Sequence, residues 1–259
     1  TFVADNTILE TDDGLVLEGQ AQFGDPSFYA YLFWISKDGI LDTLIVHKEI
    51  NEIGQIQSGQ ISLDIDGNLV FMYNRLFRDP DFPLWGDNQR GFLKYNKNKE
   101  IFWQWESVGL KFDTNVSNFS IDENNNLIFV DFTETNIKKP SLFCLSPEKQ
   151  LLWEQKVPVA PGMMKYINGV AKHDGGYLLN GYHHLYDSVA TLARNGYIAK
   201  ISNKGDLLWE RSYREYLGED KLGPNNTKTF NVAYGELSSL IVDENFNQIE
   251  IKVSPTIRI

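Results

Sequence analysis

The run Gly196-Tyr197-Ile198-Ala199-Lys200-Ile201-Ser202-Asn203-Lys204-Gly205-Asp206-Leu207-Leu208-Trp209-Glu210 decides the fold. It reads as an apolar strand, a polar turn, and a second strand that opens on two leucines and a tryptophan. Ser, Asn, Gly and Asp between two apolar runs are hairpin chemistry, because these residues stabilise or tolerate the backbone reversal that a short connection needs. The string recurs upstream without a gap. Ser141 to Glu154 repeats it with Leu151-Leu152-Trp153, and Gly91 to Trp103 with Ile101-Phe102-Trp103. Tyr31 to Thr43 is a degenerate copy, with Thr43 in the place of the tryptophan.

A second string alternates with the first: an acidic or Asn/Gly turn between apolar runs. It appears at Ile8 to Leu17, Ile61 to Phe71, Phe119 to Phe129, Val170 to Leu179 and Leu240 to Ile249. One hairpin of each kind makes four strands, and Trp103, Trp153 and Trp209 lie 50 and 56 residues apart. Four-stranded units at such a period are the mark of propeller blades. A β-sandwich also has many short strands, but gives no reason for a tryptophan to return at one point of each unit. The expectation is an all-β, single-domain β-propeller over residues 1–259, with five four-stranded blades. Five turn-type and four tryptophan-type hairpins leave the fifth blade two strands short. Thr256–Ile259 is expected to supply its third strand and Thr1–Ala4 its fourth, so that both termini close the ring and cover open edges.

Composition narrows the function classes. With 35 acidic against 24 basic side chains, the formal charge is −11. A phosphate backbone or an anionic membrane would repel such a chain, so no nucleic-acid partner is expected. No stretch approaches the roughly 18 apolar residues of a membrane helix. The first residue is Thr1, which fits either a removed targeting segment or the start of a fragment. The single cysteine, Cys144, stands within Leu142-Phe143-Cys144-Leu145 and is expected to be a buried, inert thiol.

The Gly196 to Glu210 run resembles the blade motif of bacterial quinoprotein-like propellers. In particular it is similar to the exported, often lipid-anchored propellers of Bacteroidetes-type bacteria. That resemblance implies an exported protein of the periplasm or cell surface, with a possible lipid anchor upstream of Thr1. In quinoprotein dehydrogenases the cofactor stacks between a tryptophan and a vicinal disulfide. One cysteine cannot form that disulfide, so a relative with no cofactor is expected. In the resembled motif Trp103, Trp153 and Trp209 pack between neighbouring blades, a docking role.

Function is expected in what the repeats do not share. Three segments interrupt the period: 77–90, 183–195 and 214–237. Insertions of this length in compact domains tend to be functional or disordered. In a propeller they crowd one face, which would carry Phe82, Trp85, Arg90, Tyr186, Arg194, Arg214 and Tyr216 as ligand-binding candidates. Aromatics beside Arg, Asp and Asn suit a sugar ring or an aromatic-anchored protein contact. His183 and His184 are neighbours on a strand end and so point to opposite faces, which argues against a shared metal. Asp64, Asp66, Asp122 and Asp174 fall in repeated turns and read as structural. The leading expectation is a non-enzymatic subunit of the cell envelope that binds an envelope protein or a glycan. The alternative is a five-bladed hydrolase of the glycoside type, which would need convergent carboxyl pairs.

Overall fold

The computed structural model describes residues 2–3, 8–22, 28–47, 54–77, 88–107, 119–132, 140–158, 163–185, 195–213, 228–231, 238–242 and 248–253. Among them are strands only, grouped in five antiparallel sheets. The first holds β1 (Phe2–Val3), β2 (Ile8–Thr11), β3 (Gly14–Gln22), β4 (Phe28–Ser36) and β5 (Leu41–His47). The second runs β6 (Gly54–Leu63), β7 (Leu69–Phe77), β8 (Asn88–Tyr95), β9 (Ile101–Glu106), and the third β10 (Phe119–Ile121), β11 (Leu127–Phe132), β12 (Pro140–Leu145), β13 (Leu151–Lys156). The fourth is β14 (Met163–His173), β15 (Gly176–Leu185), β16 (Asn195–Ser202), β17 (Leu207–Tyr213), and the fifth β18 (Lys228–Asn231), β19 (Ser238–Val242), β20 (Gln248–Val253). All nine hairpins read from the sequence are present.

The chain divides into two compact units, residues Thr1–Asn126 with Ser146–Lys149, and Leu127–Leu145 with Gln150–Ile259. In the first unit, Val16, Leu32, Ile61, Phe71 and Tyr95 form a core between the facing sides of the first two sheets. In the second, Phe129, Phe143, Leu179 and Ile198 are fully buried, with Phe129 stacked on Phe143 at 5.3 Å between ring centroids. Cys144, the single cysteine, is buried there.

The turns follow from their first residues. In Asp64–Asn68 the Asp64 carboxylate accepts the amides of Asp66 (3.1 Å) and Asn68 (2.9 Å), and Asp122 does the same for Asn124 and Asn126 (both 2.9 Å). Ser202 Oγ accepts the amides of Lys204 (3.2 Å) and Asp206 (3.0 Å). A short side-chain acceptor thus organises each five-residue turn by satisfying its inward N–H groups. The fourth turn position takes positive φ: Gly39, Gly67, Lys99, Asn125, Lys149 and Gly205.

The tryptophan-type hairpins share a further device. Leu145 faces Leu151 but Cys144 faces Trp153, so Leu152 is skipped. The same one-residue bulge follows Ile201–Leu207, Tyr95–Ile101 and Ile35–Leu41. It also follows Val242–Gln248, after which Ile241 faces Glu250. The hairpin of Leu240 to Ile249 therefore has the register of the third and fourth strands of a unit, not of the first and second as its turn residues imply. Glu250 stands at its tryptophan position. The second-strand place belongs to β18, which lies inside the 214–237 segment that the sequence reading treated as an insertion.

The expected closure changes accordingly. Phe2 and Val3 pair with Ala21 and Gln20 of β3 in the first sheet, rather than supplying a fourth strand to the fifth. The reason is local: β3 is nine residues long and β2 covers only Gly14–Leu17, leaving the far half of that edge to be paired. Thr256–Ile259 lies outside the described residues.

Candidate functional site

The repeated tryptophan position is built to hold one sheet against the turn of the next. Trp103 in β9 donates its indole N–H to the Pro147 carbonyl (2.6 Å), and Lys149, in the same turn, sits over its ring at 5.8 Å. Trp153 in β13 packs against Gly205, whose added Cβ would stand 3.0 Å from the Trp153 ring and 3.1 Å from Gln155. Its other neighbour is Tyr177, with ring centroids 6.4 Å apart. Thr43 occupies this position in β5 and is met in the same way: Lys99 donates to Thr43 Oγ1 (3.0 Å) and forms an ion pair with Asp42. The positive-φ residue of one turn, Lys99, Lys149 or Gly205, thus reaches the fourth strand of the preceding sheet in each case. Trp209 is covered along its own strand by Arg211, 5.7 Å from the ring.

The structure also accounts for Thr43. Directly across the ladder from it is Trp34, whereas Lys94, Cys144 and Lys200 face the other tryptophans. The pair is inverted, and the aromatic ring comes from the third strand. It meets Tyr95 edge-on at 5.8 Å and packs against the core. A one-residue count back from the bulge in the sequence would have found it.

Arg90 is corrected. It was expected on an exposed insertion, but it lies in β8 with 0% of its surface accessible. Its amide donates to Ser107 Oγ and its carbonyl accepts the Ser107 amide, both at 2.9 Å. Phe82, Trp85, Tyr186, Arg194, Arg214 and Tyr216 lie outside the described residues. His183 and His184 fall at the end of β15, opposite Lys165 and Met164.

At the end of the second sheet that leads to residues 78–87, a polar cluster surrounds Glu106. Tyr73 donates its hydroxyl to Glu106 Oε1, and Arg75 Nη1 is 3.0 Å from Glu106 Oε2. Burial, together with the Glu106 carboxylate, holds the Tyr73 phenol protonated well above its ordinary range. Gly91 lies directly opposite Tyr73, and an added Cβ there would fall 2.0 Å from the ring, so the glycine makes room for the phenol. In the fourth sheet Tyr197 likewise donates to Glu210 (3.2 Å). Asp64 is bound in its turn and paired with buried Lys94 at 3.3 Å. Each of these carboxylates already has a structural partner. Among the described residues no cluster of His, Cys, Asp or Glu is placed to hold a metal.

A cavity stands open among the described residues. At the hairpin-turn end of the first unit, between the first two sheets, a groove of about 1030 Å³ is lined by the turns at 10–16, 63–67 and 96–99 together with Trp34 and Asp42. Two local differences leave it open. The turn of the first sheet is two residues long, with Thr11 facing Gly14. Gly67 stands where the following turn has Asn125, whose side chain bridges to Asp66 (2.8 Å) and to the Ile65 amide (3.0 Å). Glycine has no side chain to make the equivalent bridge.

No family model matches the sequence, and no curated protein sequence does. Three solved structures show a limited likeness. An ACO/RPE65 chimera is 13% identical with a TM-score of 0.46, over 91% of this chain and 55% of that one. The GH43 endo-arabinanase from Bacillus licheniformis is 11% identical with a TM-score of 0.42, over 97% and 93%. A mutant of the Synechocystis apocarotenoid oxygenase is 15% identical with a TM-score of 0.46, over 89% and 53%. The chain spans about half the length of the two oxygenase-type structures. At these levels the likeness assigns neither a family nor an activity.

Proposed function

We propose that the chain is a five-bladed β-propeller of the quinoprotein-like type that acts without catalysis, binding an envelope protein or a glycan on its insertion-bearing face. The five-blade reading is supported by the bulge that recurs in five hairpins and by β18, which together account for strands two to four of a fifth unit without strands borrowed from the termini. Export and a lipid anchor belong to this reading through the resemblance of the Gly196 to Glu210 motif alone.

The observation that carries the binding role is the state of Glu106. It stands at the insertion-bearing end of the second sheet, where a hydrolytic acid would be wanted, and it is bound by Tyr73 and Arg75. With its two oxygens bonded to a phenol and a guanidinium, Glu106 would have to give up these partners to reach a substrate. Ligand contacts would then fall to Phe82, Trp85, Tyr186, Arg194 and Tyr216. The double variant Trp85→Ala, Tyr216→Ala is expected to keep the wild-type melting temperature and to lose about tenfold or more in affinity for a glycan or envelope protein identified by array or pull-down. If Asp79→Asn with Asp81→Asn, which removes two carboxylates of the 77–90 insertion, instead abolishes hydrolysis of a glycan, the hydrolase reading replaces this one.

A further inference from the structure

We propose that the groove at the hairpin-turn end of the first unit binds a flexible polycation, a chain bearing several alkylammonium groups. This site is independent of the insertion-bearing face, since the turns that line it lie at the opposite strand ends of the second sheet from the connection to residues 78–87.

Charge selects the ligand. Five carboxylates line the groove against two ammonium groups; the Lys99–Asp42 pair removes one of each, leaving four carboxylates against Lys97. Glu10, Asp12 and Asp13 are exposed on its rim. The excess of like charge in one concavity raises its affinity for cations above that of the general acidic surface. Trp34, half-buried on the wall, adds an aromatic ring, the partner an ammonium group prefers beside carboxylates. Size selects a chain over an ion. A volume of about 1030 Å³ is at the upper end of small-molecule sites, which span roughly 300–1000 Å³. The walls are set in advance, because Asp66 is held by Asn125 and Lys99 by Thr43 and Asp42. Pre-set walls reduce the ordering cost of binding.

The ligand chemistry has two sources, a free polyamine or a lysine-rich segment of a peptide, so spermine and hexalysine are the probes. Both are titrated by calorimetry into the whole chain at low and at physiological salt. The groove variant Asp12→Asn, Asp13→Asn, Asp66→Asn is compared with a control of equal charge change, Glu148→Gln, Glu154→Gln, Asp174→Asn. All six residues are exposed, so both proteins are expected to fold. The groove variant should weaken binding about tenfold and the control less than about twofold. Stronger binding of spermine points to a small polyamine, and stronger binding of hexalysine to a peptide. Equal losses in the two variants would reduce the effect to general surface charge and overturn the proposal, as would the absence of binding by both probes.

Discussion

Trp153 and Gly205 show how one side chain and the absence of another make a joint. The ring of Trp153 fills the space that a Cβ on Gly205 would enter, and Gly205 is itself at φ +91°. Trp153→Ala is expected to cost about 2–4 kcal/mol, from lost burial and the vacancy left behind. Gly205→Ala is expected to cost roughly 1–3 kcal/mol by overpacking and strain. In the Trp153→Ala background its cost should fall, because the ring no longer opposes the methyl group, and urea unfolding of the four-member cycle measures that coupling. His47 offers a second test. It stacks on Phe71 at 5.3 Å and bonds the Tyr95 hydroxyl, and burial lowers its pKa from 6.5 to about 4. The unfolded chain therefore binds the proton more readily. This contribution to stability is intact above pH 6.5, declines as pH falls, and levels off below about pH 4, at a loss of roughly 2–3 kcal/mol. Subtracting the stability-against-pH curve of His47→Phe from that of wild type should leave a fall over this window. A flat difference curve would deny that the imidazole is buried neutral.

At the scale of the element, hairpins were legible and their places in the unit were not wholly so. A turn such as Ser202–Asp206 is closed by bonds spanning four residues, so its sequence specifies it. The place of β19 and β20 depends instead on a bulge between Ile241 and Val242, and on a partner strand, β18, hidden in a segment with no repeat signature. Phe2 and Val3 were misplaced for a similar reason: two residues carry no pattern, and only the uncovered edge of β3 assigns them. Deleting residues 1–7 is expected to speed hydrogen exchange at the one amide of the Gln20–Ala21 pair that faces β1, to leave the other, which faces β4, protected, and to leave the fifth sheet unchanged. Protection lost in β18 to β20 instead would restore the closure by the N-terminus.

For the molecule as a whole, a repeat that maintains its joints leaves function to the places where a joint is altered. The inverted pair Trp34 and Thr43, the short turn at Thr11–Gly14 and the bare Gly67 all fall on one seam, and the groove opens there. Of these, Thr43 stood out in the sequence as a departure from the repeat. The convergence of the three did not, because residues 11, 34, 42 and 67 meet only through sheet packing. Arg90 failed for the opposite reason. Its neighbours in sequence are polar insertion residues, while its burial comes from β8 and Ser107.

The sequence by itself determined the all-β class, the nine hairpins and the recurrence of the tryptophan, since these rest on interactions a few residues apart or on a period that repeats them. The tertiary structure alone decided the order of the strands in the fifth sheet, which edge takes the first strand, and where the cavity lies. Those outcomes depend on strand pairing and packing between segments tens of residues apart, whose energies no local pattern encodes.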